Sequence, residues 1–116
     1  MNITDIAKIA YEASRAYNQQ VFGDFSQQPF DKLAAPAKAE IEARVLFCVE
    51  NRGAPASSAH DRWMVTLLHD GWRLAEFTDV KQKCHRRLLP WSLLPREEQQ
   101  RDVLFTRIVA ALMESL

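Results

Sequence analysis

Apolar residues recur at helical spacing in four segments of the chain, and each segment predicts one helix. The first predicted helix covers about residues 3–21, with Asn2 or Thr4 as its N-cap and Gly23 as its end. Its inward face is expected to consist of five residues at helical spacing: Ile6, Ile9, Ala10, Ala13 and Tyr17.

The segment 25–35 has no clear period and contains Pro29, so it predicts a connecting loop. Three of its apolar side chains are expected to hold it against the core: Phe25, Phe30 and Leu33. The second helix is predicted to begin near Pro36 and to end at residues 51–53. Its inward face would carry Ile41, Val45, Cys48 and Val49.

Two further helices are predicted in the second half of the chain. Ser57 or Ser58 is expected to cap the third helix, with Asp61 at the capping-box position for Ser58, and residues 70–71 end it. Its inward residues would be Trp63, Met64, Leu67 and Leu68. The last helix is predicted to start at Pro95, with an inward face formed by Leu104, Phe105, Ile108, Val109, Ala111 and Leu112.

Between the last two helices, the pattern predicts a small β-ribbon. Residues 72–77 would form one strand, Leu88 and Leu89 would lie in its partner, and residues 78–87 would form the loop. Pro90 and Pro95 bracket a compact turn that carries Trp91, Leu93 and Leu94. The predicted fold is therefore mainly α, a single domain over 1–116 with four main helices and a small β-ribbon.

Composition narrows the class of protein. The 116 residues are 47% hydrophobic and 26% charged, which is typical of one globular domain. Basic and acidic residues balance at 15 each, which argues against a nucleic-acid binding protein. Two cysteines are too few for a disulfide framework, and Cys48 is expected to be a buried thiol. With no signal-peptide pattern and no apolar run of membrane-spanning length, we expect a cytoplasmic protein without a membrane partner.

All three tryptophans lie in one stretch, 60–102, where basic and imidazole side chains alternate with them. Aromatic faces beside cations suit a ligand that is part ring and part anion. Trp63 and Trp72 can stack on such a ring, although Trp63 fits equally the role of a core anchor, which we favour for it. For Trp72 we weigh the stacking role and the core role equally. Trp91 is expected to pack against the residues of the turn that contains it.

A basic loop follows Trp72. Four cations fall within residues 81–87 with no acidic residue among them, and His85 lies in the middle; the cations are Lys81, Lys83, Arg86 and Arg87. These side chains can hold phosphate oxygens, and the alternative is an ordinary solvated loop. On the first helix, Arg15 and Asn18 share a face and can also donate to a ligand, unless Arg15 pairs with Glu12 or Asp102.

Metal binding and catalysis are not predicted. His60, His69, Cys84 and His85 lack the paired spacing of zinc ligands. The chain contains no Gly-x-Ser-x-Gly or His-Glu-x-x-His motif, and its three glycines exclude a glycine-rich phosphate loop. We therefore expect no enzyme activity, no cofactor and no metal.

The ordered motifs of this stretch resemble the ryanodine-receptor repeat (RyR domain) family. They read His60-x-x-Trp63, Asp70-Gly71-Trp72, Asp79-x-Lys81-x-Lys83-x-His85, Leu88-Leu89-Pro90-Trp91-x-x-Leu94 and Arg101-Asp102. The opening Ile6-Ala7-x-Ile9 and Arg15-Ala16-Tyr17 are similar to short stand-alone members from bacteria and phages. Two positions depart from the family pattern: Arg73-Leu74-Ala75 replaces x-Tyr-Gly, and His85-Arg86 replaces His-Pro.

The resemblance implies a small helical domain that serves as a cytosolic module. One pair of these repeats in the calcium-release channels holds an adenine nucleotide between aromatic side chains, and a ligand-sensing role has been suggested for bacterial members. We therefore expect a non-enzymatic binding module that senses or sequesters a small, nucleotide-like anion. Its expected ligand-binding residues are Arg15, Asn18, Trp63, Trp72, Lys83, His85 and Arg86.

The alternative hypothesis is a protein-interaction or assembly subunit, phage-encoded and without a small ligand. It would use an exposed apolar patch formed by Phe22, Phe25 and Phe30, or by the last helix. A homodimer is compatible with both hypotheses.

Overall fold

In the computed structural model, which describes all of residues 1–116, the helices near the two ends of the chain pack most extensively against each other. These are α1 (Ile3–Phe22) and α4 (Arg96–Leu112), and α2 (Ala35–Glu50) packs against both. The smaller α3 (Ser57–His69) contacts α2 and α4. The four predicted helices and the mainly α fold class are therefore confirmed. None of the helices combines the length and the apolar character that crossing a membrane requires.

The core lies where α1, α2 and α4 meet. Its seven buried apolar residues are Ile6, Ala7, Ala10, Phe30, Val45, Phe105 and Val109. Phe30 belongs to a short 3₁₀ turn, Phe30–Lys32, within the connection between α1 and α2. It is 2% exposed, so it holds that connection against the core as predicted, and Leu33 packs partly beside it.

Several expected inward positions are exposed instead. The buried face of α1 is centred on Ala7 and Ala10, which leaves Ile9 at its edge and 40% exposed. Leu68 is 51% exposed because α3 buries its first turn, at Ala59 and His60, rather than its last. Ala111 is also exposed, and Phe25, which was expected to hold the loop, is 74% exposed.

The ends of the helices show one confirmed and one wrong cap. Asn2 caps α1: its side chain accepts from the Asp5 N–H at 2.8 Å, and the Asp5 carboxylate accepts from the Asn2 N–H at 2.9 Å. The third helix begins at Ser57, so its N-cap is Ala56, which makes no side-chain cap bond. The predicted serine caps are wrong because a Pro55 turn starts the helix early, with the Ser58 N–H donating to the Pro55 carbonyl.

The small sheet is present, but its pairing differs from the prediction. β1 (Arg73–Leu74) pairs in parallel with β2 (Cys84–His85), so Leu88 and Leu89 are not the partner strand. The chain already reverses within the predicted loop, at Asp79. Its carboxylate accepts the Lys81 N–H at 2.9 Å and the Gln82 N–H at 3.3 Å, and Asp79 forms an antiparallel bridge with Cys84. After this tight turn the chain passes alongside β1 in the same direction as β1.

Candidate functional site

A cavity of about 310 Å³ lies between the four helices and the small sheet. This volume is at the lower end of the roughly 300–1,000 Å³ typical of small-molecule sites. Four of its lining residues are arginines, contributed by α2, α3, the segment after β2 and α4: Arg44, Arg62, Arg87 and Arg101. Aromatic and apolar side chains, among them Trp63 and Phe105, line the same space. Cationic and aromatic groups are therefore combined around one cavity.

Helix α1 supplies one wall through residues at helical spacing. Tyr11, Ser14 and Asn18 all line the cavity, and their spacing of three and four residues places them on one face. Asn18 is 6% exposed. Its carbonyl oxygen accepts from Nη1 of Arg101 at 3.1 Å, while its amide nitrogen donates to the side chain of Gln27. Asn18 thus orients Arg101 and joins α1 to α4.

Each arginine of the cavity is held by one side-chain hydrogen bond. Arg44 donates to Asp102 at 3.1 Å, Arg62 donates to Glu40 at 2.7 Å, Arg87 donates to Glu98 at 2.7 Å, and Arg101 donates to Asn18. The Arg44 guanidinium carbon also lies 4.0 Å from the centre of the Phe105 ring, a cation–π contact. Because a guanidinium carries five N–H donors, most donors of these four side chains have no protein partner.

Two of those donors are buried. The Nε–H groups of Arg44 and Arg62 are shielded from solvent and have no hydrogen-bond partner in the protein. A buried donor without a partner costs free energy, on the order of 1–3 kcal/mol. Burial and the neighbouring Arg87 lower the pKa of Arg101, so the cations also repel one another. An anion in the cavity would relieve the repulsion among the cations.

The aromatic side chains form one continuous row. Trp91 lies next to His60 with 6.0 Å between ring centres, and His60 next to Trp63 with 5.5 Å. Trp63 meets His85 edge-on at 4.9 Å, and His85 lies 6.4 Å from Trp72. His60, Trp63 and His85 line the cavity, whereas Trp72 and Trp91 lie behind the two histidines.

Hydrogen bonds fix the tautomers of both histidines. Nε2 of His60 lies 2.7 Å from the Leu89 carbonyl, which only accepts, so Nε2 carries a proton. Nδ1 of His85 accepts the Arg87 backbone N–H at 3.0 Å, so in neutral His85 the proton is on Nε2. Burial, together with Arg87 and Arg86, lowers the pKa of His85 below its usual 6.5. His85 is therefore neutral at pH 7 and has an N–H donor.

Three of the seven residues expected to bind the ligand line the cavity: Asn18, Trp63 and His85. The other four lie outside it. Arg15 pairs with Glu12 at 2.8 Å, which is the alternative considered for it, and Arg86 is exposed. Trp72 packs behind His85, and the Lys83 ammonium donates to the Asp70 carbonyl at 2.9 Å. That bond ties the loop to the end of α3.

Several cavity residues were not among those expected to bind the ligand. They are Arg44, His60, Arg62, Arg87 and Arg101. Arg87 had been grouped with the basic loop, His60 had been considered as a metal ligand and in the family motifs, and Arg101 had been named in the family motifs alone. One sequence signal points to this region. Glu98, Asp102, Phe105 and Val109 recur at spacings of four, three and four, so two carboxylates lie on the buried stripe of α4. Buried carboxylates require cations nearby, and the structure places Arg87 and Arg44 against them.

No group of three or more His, Cys, Asp or Glu side chains has an arrangement that could hold a metal ion.

Comparison with protein-family models and with curated proteins found no match to this chain. The resemblance to the RyR family therefore rests on the sequence motifs alone.

Proposed function

We propose that the chain is a non-enzymatic binding module of the RyR type that senses or sequesters a small, nucleotide-like anion in the cytoplasm. The observation that carries this proposal is the set of four arginines around one cavity, each with a single side-chain hydrogen bond to the protein. Guanidinium groups with free donors are the groups that bind phosphate best in proteins. The ligand's anionic part would contact them.

The aromatic side of the cavity supports a ligand that also contains a ring. Trp63 and His60 are neighbours there, and a tryptophan face stacks on a nucleotide base with about 1–3 kcal/mol. The sequence resemblance to repeats that hold an adenine nucleotide between aromatic side chains points the same way. Because Trp63 lines the cavity and Trp72 does not, we propose Trp63 rather than Trp72 as the stacking residue.

The placement of charge favours a small ligand over a nucleic acid. The four arginines line a cavity in a protein of zero formal net charge, whereas duplex binding needs cations spread over an exposed surface.

Binding is also favoured over catalysis. Both carboxylates that line the cavity, Glu40 and Asp102, form ion pairs with arginines.

A protein-interaction role is the second candidate, and one observation favours it. Phe25 is 74% exposed and Phe22 is 40% exposed, so two large aromatic residues at the end of α1 face solvent. Phe30, the third residue expected in that patch, is buried in the core. A partner protein or a second copy of the chain would cover Phe22 and Phe25.

A thermal-shift screen against mono-, di- and cyclic nucleotides tests the proposal. A ligand at about a hundredfold excess over its dissociation constant adds roughly 2.7 kcal/mol of stability, a shift of several degrees at this size. The shift should disappear in Arg62→Gln and persist in Arg73→Gln, since Arg73 is exposed and outside the cavity. If no nucleotide shifts the melting temperature of the wild type, the proposal fails and the interaction hypothesis takes its place.

A further inference from the structure

The charges around the cavity do not balance. Arg62 is paired with Glu40, and Arg87 is paired with Glu98. The remaining two arginines share one carboxylate: Oδ1 of Asp102 lies 3.1 Å from Nη2 of Arg44 and 4.0 Å from Nε of Arg101. Four guanidinium groups therefore face three carboxylates, and the unbalanced positive charge lies between Arg44 and Arg101.

Three of these charged side chains, those of Arg101, Asp102 and Glu98, are largely withdrawn from solvent. The side chains of Arg101 and Asp102 are 13% and 11% exposed, and that of Glu98 is 12% exposed. Solvent and salt screen such groups much less than exposed ones, so a charge on a ligand interacts strongly with them. A ligand with one phosphate monoester brings roughly −1.5 to −2 charge at pH 7, which offsets the excess and leaves little uncompensated negative charge. A ligand with several phosphates would instead bring additional negative charge close to Asp102 and Glu98.

The size of the cavity sets the same limit. About 310 Å³ is at the small end of ligand sites, which favours one nucleotide unit over two joined units. Only the middle of the aromatic row, His60, Trp63 and His85, lines the cavity, so the cavity offers one tryptophan for one base. Volume and aromatic surface therefore both fit a single base.

From this arrangement we infer that the cavity selects a nucleotide with one phosphate over nucleoside triphosphates and cyclic dinucleotides. This inference rests on the proposed function and specifies its ligand class. The phosphate is bound between Arg44 and Arg101, where Asn18 holds the Arg101 guanidinium in place. The base lies against Trp63. Asp102 acts as the selectivity residue, because its charge repels additional phosphates.

Titration calorimetry with defined ligands tests the inference. The 5′-monophosphates AMP, GMP, CMP and UMP, and 3′,5′-cyclic AMP, are compared with the four triphosphates, cyclic di-AMP and inorganic phosphate. At least one monophosphate should bind about tenfold more tightly than its triphosphate and than cyclic di-AMP, the difference that one charge-assisted contact produces. Inorganic phosphate should bind more weakly than that monophosphate because it makes no stacking contact.

Two variants test the role of charge. Arg101→Gln leaves Arg44 paired with Asp102 and removes the excess charge, so monophosphate affinity should fall about tenfold. Asp102→Asn adds one unit of positive charge to the site, so the affinity for triphosphates should rise relative to monophosphates. Arg73→Gln is the matched control and should match the wild type. Circular dichroism melting shows whether each variant is folded, and Arg101→Gln keeps the test decisive if Asp102→Asn does not fold.

Two outcomes would overturn the inference, and they can be told apart. If a triphosphate or cyclic di-AMP binds the wild type more tightly than every monophosphate, the inferred selectivity for one phosphate is wrong while the nucleotide-binding function stands. If no nucleotide binds the wild type, the proposed function itself fails.

Discussion

The ring of His85 meets the ring of Trp63 edge-on, with 4.9 Å between the ring centres. Two residues further along the chain, the Arg87 N–H donates to Nδ1 of His85, and the Arg87 side chain lines the cavity. One short turn after β2 therefore fixes an aromatic contact and a cation relative to each other. This relationship gives the proposed site its combination of a stacking face and an anion-binding group.

The position of Trp63 predicts which tryptophan stacks on a ligand. Trp63→Ala should lower nucleotide affinity about tenfold or more, because stacking contributes about 1–3 kcal/mol. Trp72→Ala is the matched control, since Trp72 lies behind His85 and outside the cavity. Titration calorimetry on both variants gives the comparison. A larger loss in Trp72→Ala than in Trp63→Ala would place the ligand on the other side of His85.

The environment of His85 predicts a loss of stability in acid. Burial, Arg87 and Arg86 hold its pKa below 6.5 in the folded state, so the unfolded chain takes up a proton first as pH falls. The contribution of His85 is complete above pH 6.5 and is lost progressively below it. Urea denaturation on both sides of this pH should show a steeper loss in wild type than in His85→Gln, which keeps a neutral acceptor. Equal slopes would show that His85 does not titrate as described.

The backbone at Lys83 predicts unequal effects of two small substitutions. Lys83 has φ of 50°, a left-handed conformation that costs a residue with a Cβ about 1 kcal/mol relative to glycine. Both Lys83→Gly and Lys83→Ala lose the ammonium bond to the Asp70 carbonyl. They differ in the backbone: Lys83→Ala keeps the strain, whereas Lys83→Gly relieves it and gives the unfolded chain somewhat more freedom. Chemical denaturation should find Lys83→Gly more stable than Lys83→Ala by about 1 kcal/mol.

Ligand affinity gives a second check on Lys83. Neither substitution should weaken nucleotide binding, because Lys83 does not line the cavity. A clear loss of affinity in both variants would return the basic loop to the binding site, where the sequence pattern had placed it.

Two phenylalanines of the same connection should differ sharply in their contribution to stability. Phe30 is 2% exposed and lies in the core, so Phe30→Ala should destabilise the fold by about 3–5 kcal/mol. Phe25 is 74% exposed, and Phe25→Ala should change stability by no more than about 0.5 kcal/mol. Thermal unfolding of the two variants measures this directly. A large destabilisation from Phe25→Ala would indicate that its surface is covered, as in a dimer.

The helices were predictable because their apolar period is long enough to be read locally. The β-pairing was not, since strands of two residues carry no period, and the decisive turn depends on a single carboxylate, that of Asp79. Gly23 ends α1 in a left-handed conformation as its position suggested. Local sequence signals therefore predicted the helices, whereas contacts between the Asp79 side chain and the backbone determined how the two strands pair.

The site was predictable only where its residues also belong to a local motif. Trp63 and His85 stand within one stretch of aromatic and basic residues, and the structure brings both to the cavity. Arg44 and Arg62 stand on different helices, and Arg44 meets Asp102 from 58 positions away. The spacing of residues within one segment cannot predict a contact between residues so far apart in the chain. The charged residues on the apolar stripe of α4 were the only available sign of it.

The most direct test of the central claim follows the arginine Nε–H signals by NMR while a nucleotide is added. The buried, unpartnered Nε–H groups of Arg44 and Arg62 should shift in a saturable manner, while that of Arg15, which is bonded to Glu12, should not. This result would show that an anion enters the cavity and meets its cations. Saturable shifts at Arg15 or Arg86 with none at Arg44 or Arg62, or no shifts at all, would contradict it.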